Sequence, residues 1–156
     1  MVTDRFSQPQ LVAPSDYSKV HAAIVERLGP TRTPMLIGID GRDGSGKSSC
    51  GAWLSWQLNM PCIHLDPYAK AEFEGWHTDH LRHAVNSRLD RNWPVLAEGC
   101  LLLRALAAID RKPDFLVFVE NGSHAGSALL HEQIEAYFAE RKPKDIADYM
   151  LHVQFK

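Results

Sequence analysis

The chain has 156 residues, of which 45% are hydrophobic and 23% charged, and its formal net charge at pH 7 is −2. This length suits one globular domain with a sizeable core, and this composition is that of an ordinary soluble protein. The near-neutral charge gives no general electrostatic reason to expect nucleic acid or an anionic membrane as a partner.

Three further observations indicate a cellular location. No uninterrupted apolar stretch is long enough to cross a bilayer, and the first ten residues lack the apolar core of a signal peptide. The cysteines Cys50, Cys62 and Cys100 are odd in number and fall in or beside predicted core elements. Because reduced thiols in such positions are typical of the cytoplasm, we expect a cytoplasmic protein.

The predicted domain spans residues 15–156 and follows a flexible arm over residues 1–14. Apolar residues four apart indicate amphipathic helices, and short apolar runs indicate buried strands. In chain order these patterns predict a helix at 16–28, a strand at 34–40, a helix at 47–58, a strand at 62–65, a helix through 81–89, a strand at 95–97, a helix at 101–109, a strand at 115–119, a helix at 127–141 and a strand at 146–153. The start of the last strand is also compatible with a helix.

Strands and helices that alternate with short connections require crossovers, and therefore a parallel sheet covered on both faces. We expect an α/β fold, a three-layer sandwich around a five-stranded, mainly parallel sheet. Ligands of such sheets bind beyond the carboxyl ends of the strands. Asp66 and Glu98 follow the second and third predicted strands, so both carboxylates are expected at that edge.

The most informative motif is Gly41-Arg42-Asp43-Gly44-Ser45-Gly46-Lys47-Ser48, which has the G-x-x-x-x-G-K-S form of a phosphate-binding loop between a strand and a helix. With the alternating elements, it predicts an α/β fold of the P-loop NTPase type. Its glycines let backbone N–H groups turn inward around a phosphate, and the following helix adds its N-terminal donors. Lys47 is expected to reach the β- and γ-phosphates, and the Ser48 hydroxyl to ligate Mg²⁺. The predicted ligands are ATP and Mg²⁺, and the predicted nucleotide-binding residues are Gly41, Asp43, Gly44, Ser45, Gly46, Lys47, Ser48 and Ser49.

Phosphoryl transfer also needs charged groups that position the acceptor and neutralise the transferring group. Asp66 is the candidate base for an acceptor hydroxyl, and the alternative is a turn cap. Glu98 is the candidate metal-side carboxylate, because a carboxylate on so apolar a strand needs a cation or donors; the alternative is a cap or salt bridge. Arg141 is a candidate cation over the phosphates, and the alternative is a solvated helix end.

These segments resemble the uridine kinase-like branch of the P-loop nucleoside kinases. The resemblance rests on residues 37–49, 64–68, 74–76 and 95–100. It implies that Asp66 is the acceptor's base and that Glu98 lies near the metal. It also implies an acceptor pocket lined by Tyr68, Phe73 and Trp76.

The chain departs from that family in two ways. Residues 121–131 contain no arginine where the family carries an arginine-rich lid, and the insertion that binds the pyrimidine in uridine kinases is largely absent. We predict an ATP-dependent small-molecule kinase that phosphorylates a hydroxyl of a nucleoside-like or other small metabolite. One alternative is a nucleotide-binding switch without efficient transfer, which the lack of arginine in residues 121–131 favours. The other is a P-loop hydrolase, which the missing guanine-reading motif disfavours. The acceptor's identity, the choice between ATP and GTP, and the oligomeric state stay open.

Overall fold

The structure is a computed structural model, and it describes residues 14–154. The predicted flexible arm lies outside the described residues except for Pro14. The helices and strands are α1 (Tyr17–Leu28), β1 (Leu36–Gly41), α2 (Lys47–Leu58), β2 (Cys62–His64), α3 (Thr78–Leu89), β3 (Val95–Glu98), α4 (Leu102–Ala107), β4 (Phe115–Asn121), α5 (His131–Arg141), α6 (Pro143–Ile146) and β5 (Tyr149–Val153), with 3₁₀ turns at Asp66–Tyr68 and Ala71–Phe73. No helix in residues 14–154 is both long and apolar enough to span a membrane.

The five strands form one sheet in the order β2-β3-β1-β4-β5, and every neighbouring pair is parallel. The predicted five-stranded sheet is therefore confirmed. Because the strands are parallel, their carboxyl ends meet at one edge. Glu98 at the end of β3 pairs in register with Ile39 of β1 and with His64 of β2, so the residues that follow these three strands come together there.

Helices cover both faces of the sheet, which confirms the three-layer sandwich. The apolar stripe of α1 packs with α2 against one face, and Val20 and Ile24 on that stripe are fully buried. Helices α3, α4 and α5 cover the other face, with Leu81 and Leu106 among the fully buried side chains. Each large aliphatic side chain contributes about 1.5–3 kcal/mol on burial. The two clusters therefore hold the helices firmly and fix the positions of the loops at the sheet's edge.

Two helix boundaries bear on the sequence predictions. One differs from its prediction, and the other decides between two alternatives. The predicted start of the fifth long helix at Ser127 is wrong, since α5 begins at His131. Residues 128–130 form a turn before it, and the Ser127 N–H donates to Asp43 Oδ2 at 2.6 Å, a contact across 84 residues that ties this segment to the phosphate-binding loop. In the last segment the helical alternative is correct for the start: α6 begins at Pro143, where the ring's fixed φ suits a first helical position, and β5 follows.

Candidate active site

The phosphate-binding motif forms the turn between β1 and α2 at the carboxyl edge of the sheet. Gly44 and Gly46 have φ angles of 71° and 97°, which residues with a Cβ rarely adopt. Gly46 is the N-cap of α2, and no side chain of the described residues caps that end of the helix. The amide groups at the start of α2 are therefore available to an anion such as a phosphate group.

Two polar side chains of this loop are buried within it. The Lys47 ammonium, 6% exposed as a residue, donates from Nζ to the Arg42 carbonyl oxygen at 2.7 Å and so lies across the loop that it follows. Ser45 is 2% exposed, and its Oγ atom has no hydrogen-bond partner in residues 14–154. A buried hydroxyl without a partner costs about 1–3 kcal/mol. A phosphate oxygen would satisfy it, so the loop fits the group that its sequence predicts.

A second polar cluster lies beside the start of α2. The Ser48 hydroxyl donates to Glu98 Oε1 at 3.0 Å, and His64 Nδ1 lies 2.5 Å from the same oxygen. Glu98 is 4% exposed, so its carboxylate depends on these two neighbours. The sequence analysis brought Ser48 and Glu98 together but missed His64. The signal was present, because aligning the ends of β2 and β3 puts His64 beside Glu98.

The Ser48 and Glu98 oxygens suit a hard cation such as Mg²⁺. Among residues 14–154 there is no group of three or more metal-ligating side chains. A cation here would therefore complete its shell with phosphate oxygens and water, which is how Mg²⁺ is commonly held in nucleotide sites.

Asp66 begins the 3₁₀ turn that follows β2, and its side chain is exposed. The N–H of the preceding Leu65 donates to the Glu98 carbonyl oxygen at 2.9 Å, which ties this turn to the end of β3. Burial raises the pKa of the nearby Cys100 thiol; Lys47 opposes that rise, and Asp66 adds to it. Lys47, Asp66 and Cys100 follow the parallel strands β1, β2 and β3, so they lie at the same edge of the sheet.

The three predicted acceptor-pocket aromatics lie together in the fold, since Tyr68 and Phe73 pack against the core cluster that contains Trp76. Trp76 is 9% exposed and belongs to the core, with the Phe73 ring edge-on at 6.0 Å. Trp76 therefore contributes to packing, and its place in an acceptor pocket stays a prediction. Tyr68 lies in the same turn as Asp66 and lines an open cleft of about 420 Å³ with His80 and His83 of α3.

Arg141 binds Glu140 through Nε at 2.9 Å, and no hydrogen bond or ion pair in residues 14–154 joins it to the phosphate-binding loop. Other cations lie closer to that loop. Arg42 stacks over the Phe138 ring at 5.2 Å and pairs with Glu135. Arg42 also lines a cavity of about 210 Å³ beside Ser45, which it shares with Lys144.

The segment at 122–130, which we call the cover segment, packs onto the phosphate-binding loop. A Cβ added to Gly44 would lie 2.6 Å from His124 Nδ1, so the imidazole rests directly on that glycine. The N–H of Gly126 donates to His124 Nδ1 at 3.0 Å, which assigns the ring proton of a neutral His124 to Nε2. The Ser127 N–H binds Asp43, as described above. Sequence reasoning missed these contacts.

A buried carboxylate lies directly beneath the loop. Asp40, at 0% exposure, accepts hydrogen bonds from the Tyr137 hydroxyl and from the Gly41 N–H. Burial raises the pKa of Asp40 to about 7, and the two hydrogen bonds oppose that rise. Because Tyr137 also accepts the Leu103 N–H at 3.0 Å, it joins α4 and α5 to the end of β1.

Neither a protein-family model nor a curated protein sequence matches the chain. Solved structures do match its fold. A possible uridine kinase from Bacillus stearothermophilus aligns with a TM-score of 0.62 and 17% identity over 86% of this chain and 96% of that chain. The chain therefore has the α/β fold of the P-loop NTPase type that the sequence predicts. A sugar kinase from Janibacter sp. HTCC2649 aligns with a TM-score of 0.53 and 13% identity over 78% of this chain and 85% of that chain. At identities of 17% and 13%, these two similarities show a shared fold alone.

Proposed function

We propose that this chain is an ATP-dependent kinase that phosphorylates a hydroxyl group of a small metabolite of nucleoside-like or related chemistry. The observation that carries the proposal is the contact between Ser48 and Glu98 beside the uncapped start of α2. Asp66 follows the neighbouring strand at the same edge. A phosphate loop, a metal-side carboxylate and an exposed carboxylate for the acceptor are the groups that phosphoryl transfer uses.

The residues that would hold the triphosphate are the amide groups around Gly44 and Gly46 together with the Lys47 ammonium. Ser48 and Glu98 would hold Mg²⁺ directly or through its water. The bound cation would neutralise negative charge on the phosphates during transfer. Lys47 adds a second positive charge, and because it is buried its interaction with the phosphates is weakly screened by solvent.

The transfer step uses Asp66 as its base. The Asp66 carboxylate takes the proton of the acceptor hydroxyl as that oxygen forms a bond to the γ-phosphorus. The bond between the γ-phosphorus and the β–γ bridging oxygen breaks, and ADP leaves with the electron pair. Lys47 neutralises charge on the transferring group.

The second candidate function is a nucleotide-binding switch without efficient transfer. The observation that favours it is the cover segment, which has no arginine and rests on the phosphate-binding loop through His124 and Ser127. A cation that stabilises the transferring group is worth about 10³–10⁵ in rate in related chemistry. A chain that supplies no arginine for this role, and relies on Lys47, would bind ATP and turn over slowly.

Transfer from γ-labelled ATP to a panel of nucleosides and small polyols separates the two functions. We expect label on at least one acceptor and a loss of about 10²–10⁴-fold in Asp66→Asn, with ATP binding retained. Asp110→Asn is the matched control, because Asp110 is an exposed carboxylate in the connection between α4 and β4, at the opposite edge of the sheet from the loop. Near-normal transfer by Asp66→Asn would exclude Asp66 as the base, and ATP binding without any labelled acceptor would favour the switch.

Nucleotide binding is tested separately by calorimetry. We expect Lys47→Ala to lose measurable ATP binding, because it removes the ammonium that lies across the loop. Unchanged affinity in a folded Lys47→Ala protein would refute the assignment of the loop, whatever the acceptor panel shows.

A further inference from the structure

A second cavity lies at the opposite edge of the sheet from the phosphate-binding loop. It has a volume of about 600 Å³, and its lining includes Arg32, Asn59, Arg88, Asn92 and Trp93. Arg32 and Trp93 precede β1 and β3, while Asn59 and Arg88 lie at the carboxyl ends of α2 and α3. The six-residue length of β1 separates this basal cavity from the loop by on the order of 15–20 Å.

The basal cavity gathers positive charge. Burial, and then the proximity of Arg32 and Arg91, lower the pKa of Arg88, so the Arg32 and Arg91 guanidinium groups each lie within electrostatic range of Arg88. In residues 14–154 none of the three forms an ion pair with a carboxylate, including that of neighbouring Asp90. Arginines collected without counter-ions repel one another, and an anion would relieve that repulsion.

The two arginines that line the cavity are held in place by the protein. Arg88 lies over the Trp93 ring at 4.5 Å, and its Nε atom is buried without a hydrogen-bond partner in the described part of the chain. Arg32 donates from one terminal nitrogen to the Leu58 carbonyl oxygen at 2.6 Å. A guanidinium fixed in this way loses little side-chain entropy when it binds a planar or tetrahedral oxyanion.

The backbone around the cavity is also unusual. Arg32, Asn59 and Asn92 have φ angles of 53°, 49° and 59°. Asparagine tolerates this left-handed conformation, whereas for arginine it is uncommon and costs free energy. The fold therefore accepts local strain to place Arg32 at the cavity.

We propose that the basal cavity binds a phosphate-bearing small molecule of nucleotide size, at a site separate from the phosphate-binding loop. Arg32 and Arg88 bind the phosphate group through charge-assisted hydrogen bonds, which are the strong class of such bonds. Trp93, 51% exposed, offers a face for a planar ring, and the two asparagine amides supply neutral donors and acceptors. The volume lies within the range of small-molecule sites. The proposal does not depend on whether the chain transfers phosphoryl groups.

The test uses the full chain carrying Lys47→Ala, so that the phosphate-binding loop contributes little, and titrates it with AMP and with inorganic phosphate by calorimetry. We expect AMP to bind, and inorganic phosphate to bind more weakly because it lacks a ring. Arg88→Gln weakens AMP binding by about tenfold or more, since it removes one charge-assisted partner. Arg82→Gln is the matched control on the same helix and changes the affinity less than about twofold.

Three results would overturn the proposal: no binding at millimolar AMP, equal weakening by Arg88→Gln and Arg82→Gln, or AMP binding unaffected by Arg88→Gln. Sedimentation velocity on the same proteins gives a fourth. If Arg88→Gln changes the mass of the particle and not its AMP affinity, the cavity is an interface between copies of the chain. Trp93→Leu, which keeps both charges, replaces Arg88→Gln if that variant does not fold, and it is expected to weaken AMP binding more than phosphate binding.

Discussion

The two strands that flank β1 end in different ways. The end of β3 supplies a polar group to the candidate site, whereas the end of β4 supplies structural support. At the end of β3, Glu98 is buried and its carboxylate is shared by Ser48 and His64. At the end of β4, Asn121 is also buried, but its Oδ1 accepts the N–H of Ser123 two residues later. One strand end therefore presents a polar group to the loop, while the other uses its polar group to shape its own turn.

The same contrast holds for the charges on each side. On the β4 side Arg42 pairs with Glu135 and Lys144 pairs with Glu120, so these cations have partners already. The β4 side instead supplies the cover segment, which packs onto the phosphate-binding loop. Mutations at the end of β3, which supplies a metal-side carboxylate, should therefore act differently from mutations at the end of β4, which supplies a packed segment.

The largest expected effect separates the two strand ends directly. Glu98→Gln should reduce the affinity for Mg²⁺ in the ATP-dependent reaction by about 10–100-fold, because it removes the charge that Ser48 and the cation share. Glu120→Gln, the matched change at the end of β4, should alter it by less than about threefold, since Glu120 is a partly exposed partner of Lys144. The measurement is activity as a function of Mg²⁺ concentration. Equal effects would erase the contrast between the strand ends.

The second prediction concerns stability at the strand between them. Tyr137→Phe should lower the free energy of unfolding by about 1–3 kcal/mol, because the carboxylate of Asp40 and the N–H of Leu103 both lose a partner. The control is Tyr149→Phe in β5, which removes a hydroxyl from a partly buried position and should cost less than about 0.5 kcal/mol. Denaturant unfolding measures both.

The pH dependence of the Tyr137→Phe effect has a defined sign. Burial raises the pKa of Asp40 to about 7, above its value of about 3.9 in an unfolded chain. The ionised form therefore subtracts stability progressively between these values and fully above pH 7. Tyr137 reduces that cost, so the loss on Tyr137→Phe should be larger at about pH 8.5 than at about pH 5.5. An equal loss at both pH values would show that Asp40 does not change its protonation between them, and a larger loss at the lower pH would contradict the assigned role of Tyr137.

Local patterns were enough to predict most of the fold. The apolar runs of the strands and the stripe of α1 are set by burial on a fixed face, which a sequence displays residue by residue. The loop motif predicted the turn after β1, and the positions of the strand ends predicted that Asp66 and Glu98 lie at the carboxyl edge of the sheet. The roles of those two residues, like the cytoplasmic location and the small-molecule partner, stay predictions.

The features that sequence reasoning missed depend on contacts between distant residues. The Ser127 N–H binds Asp43, 84 residues earlier in the chain, and no propensity of the local segment reports that contact. Tyr137 reaches Asp40 across 97 residues in the same way. The basal cavity is lined by three connections at the amino edge of the sheet. Its arginines are distant in sequence, and only the order of the strands brings them together.

The smallest expected effect tests whether the cover segment supports the loop. Gly126 has a φ of 82°, and a Cβ there would lie 2.6 Å from Asp43 Oδ1. Gly126→Ala should therefore push the segment off Asp43 and leave the loop less ordered before ATP binds, which raises the KM for ATP by about 2–10-fold. Because the β3 side is untouched, the Mg²⁺ dependence should stay that of the unmodified protein.

Gly122→Ala is the control within the same segment, because a Cβ at Gly122 meets nothing within 4 Å. Its KM for ATP should be unchanged. If Gly126→Ala instead left KM unchanged and raised kcat, the cover segment would be restraining turnover, and the β4 side would act as a brake on the reaction. If both glycine variants behaved alike, the contact with Asp43 would be incidental, and the support of the loop would rest on Tyr137 and Asp40 beneath it.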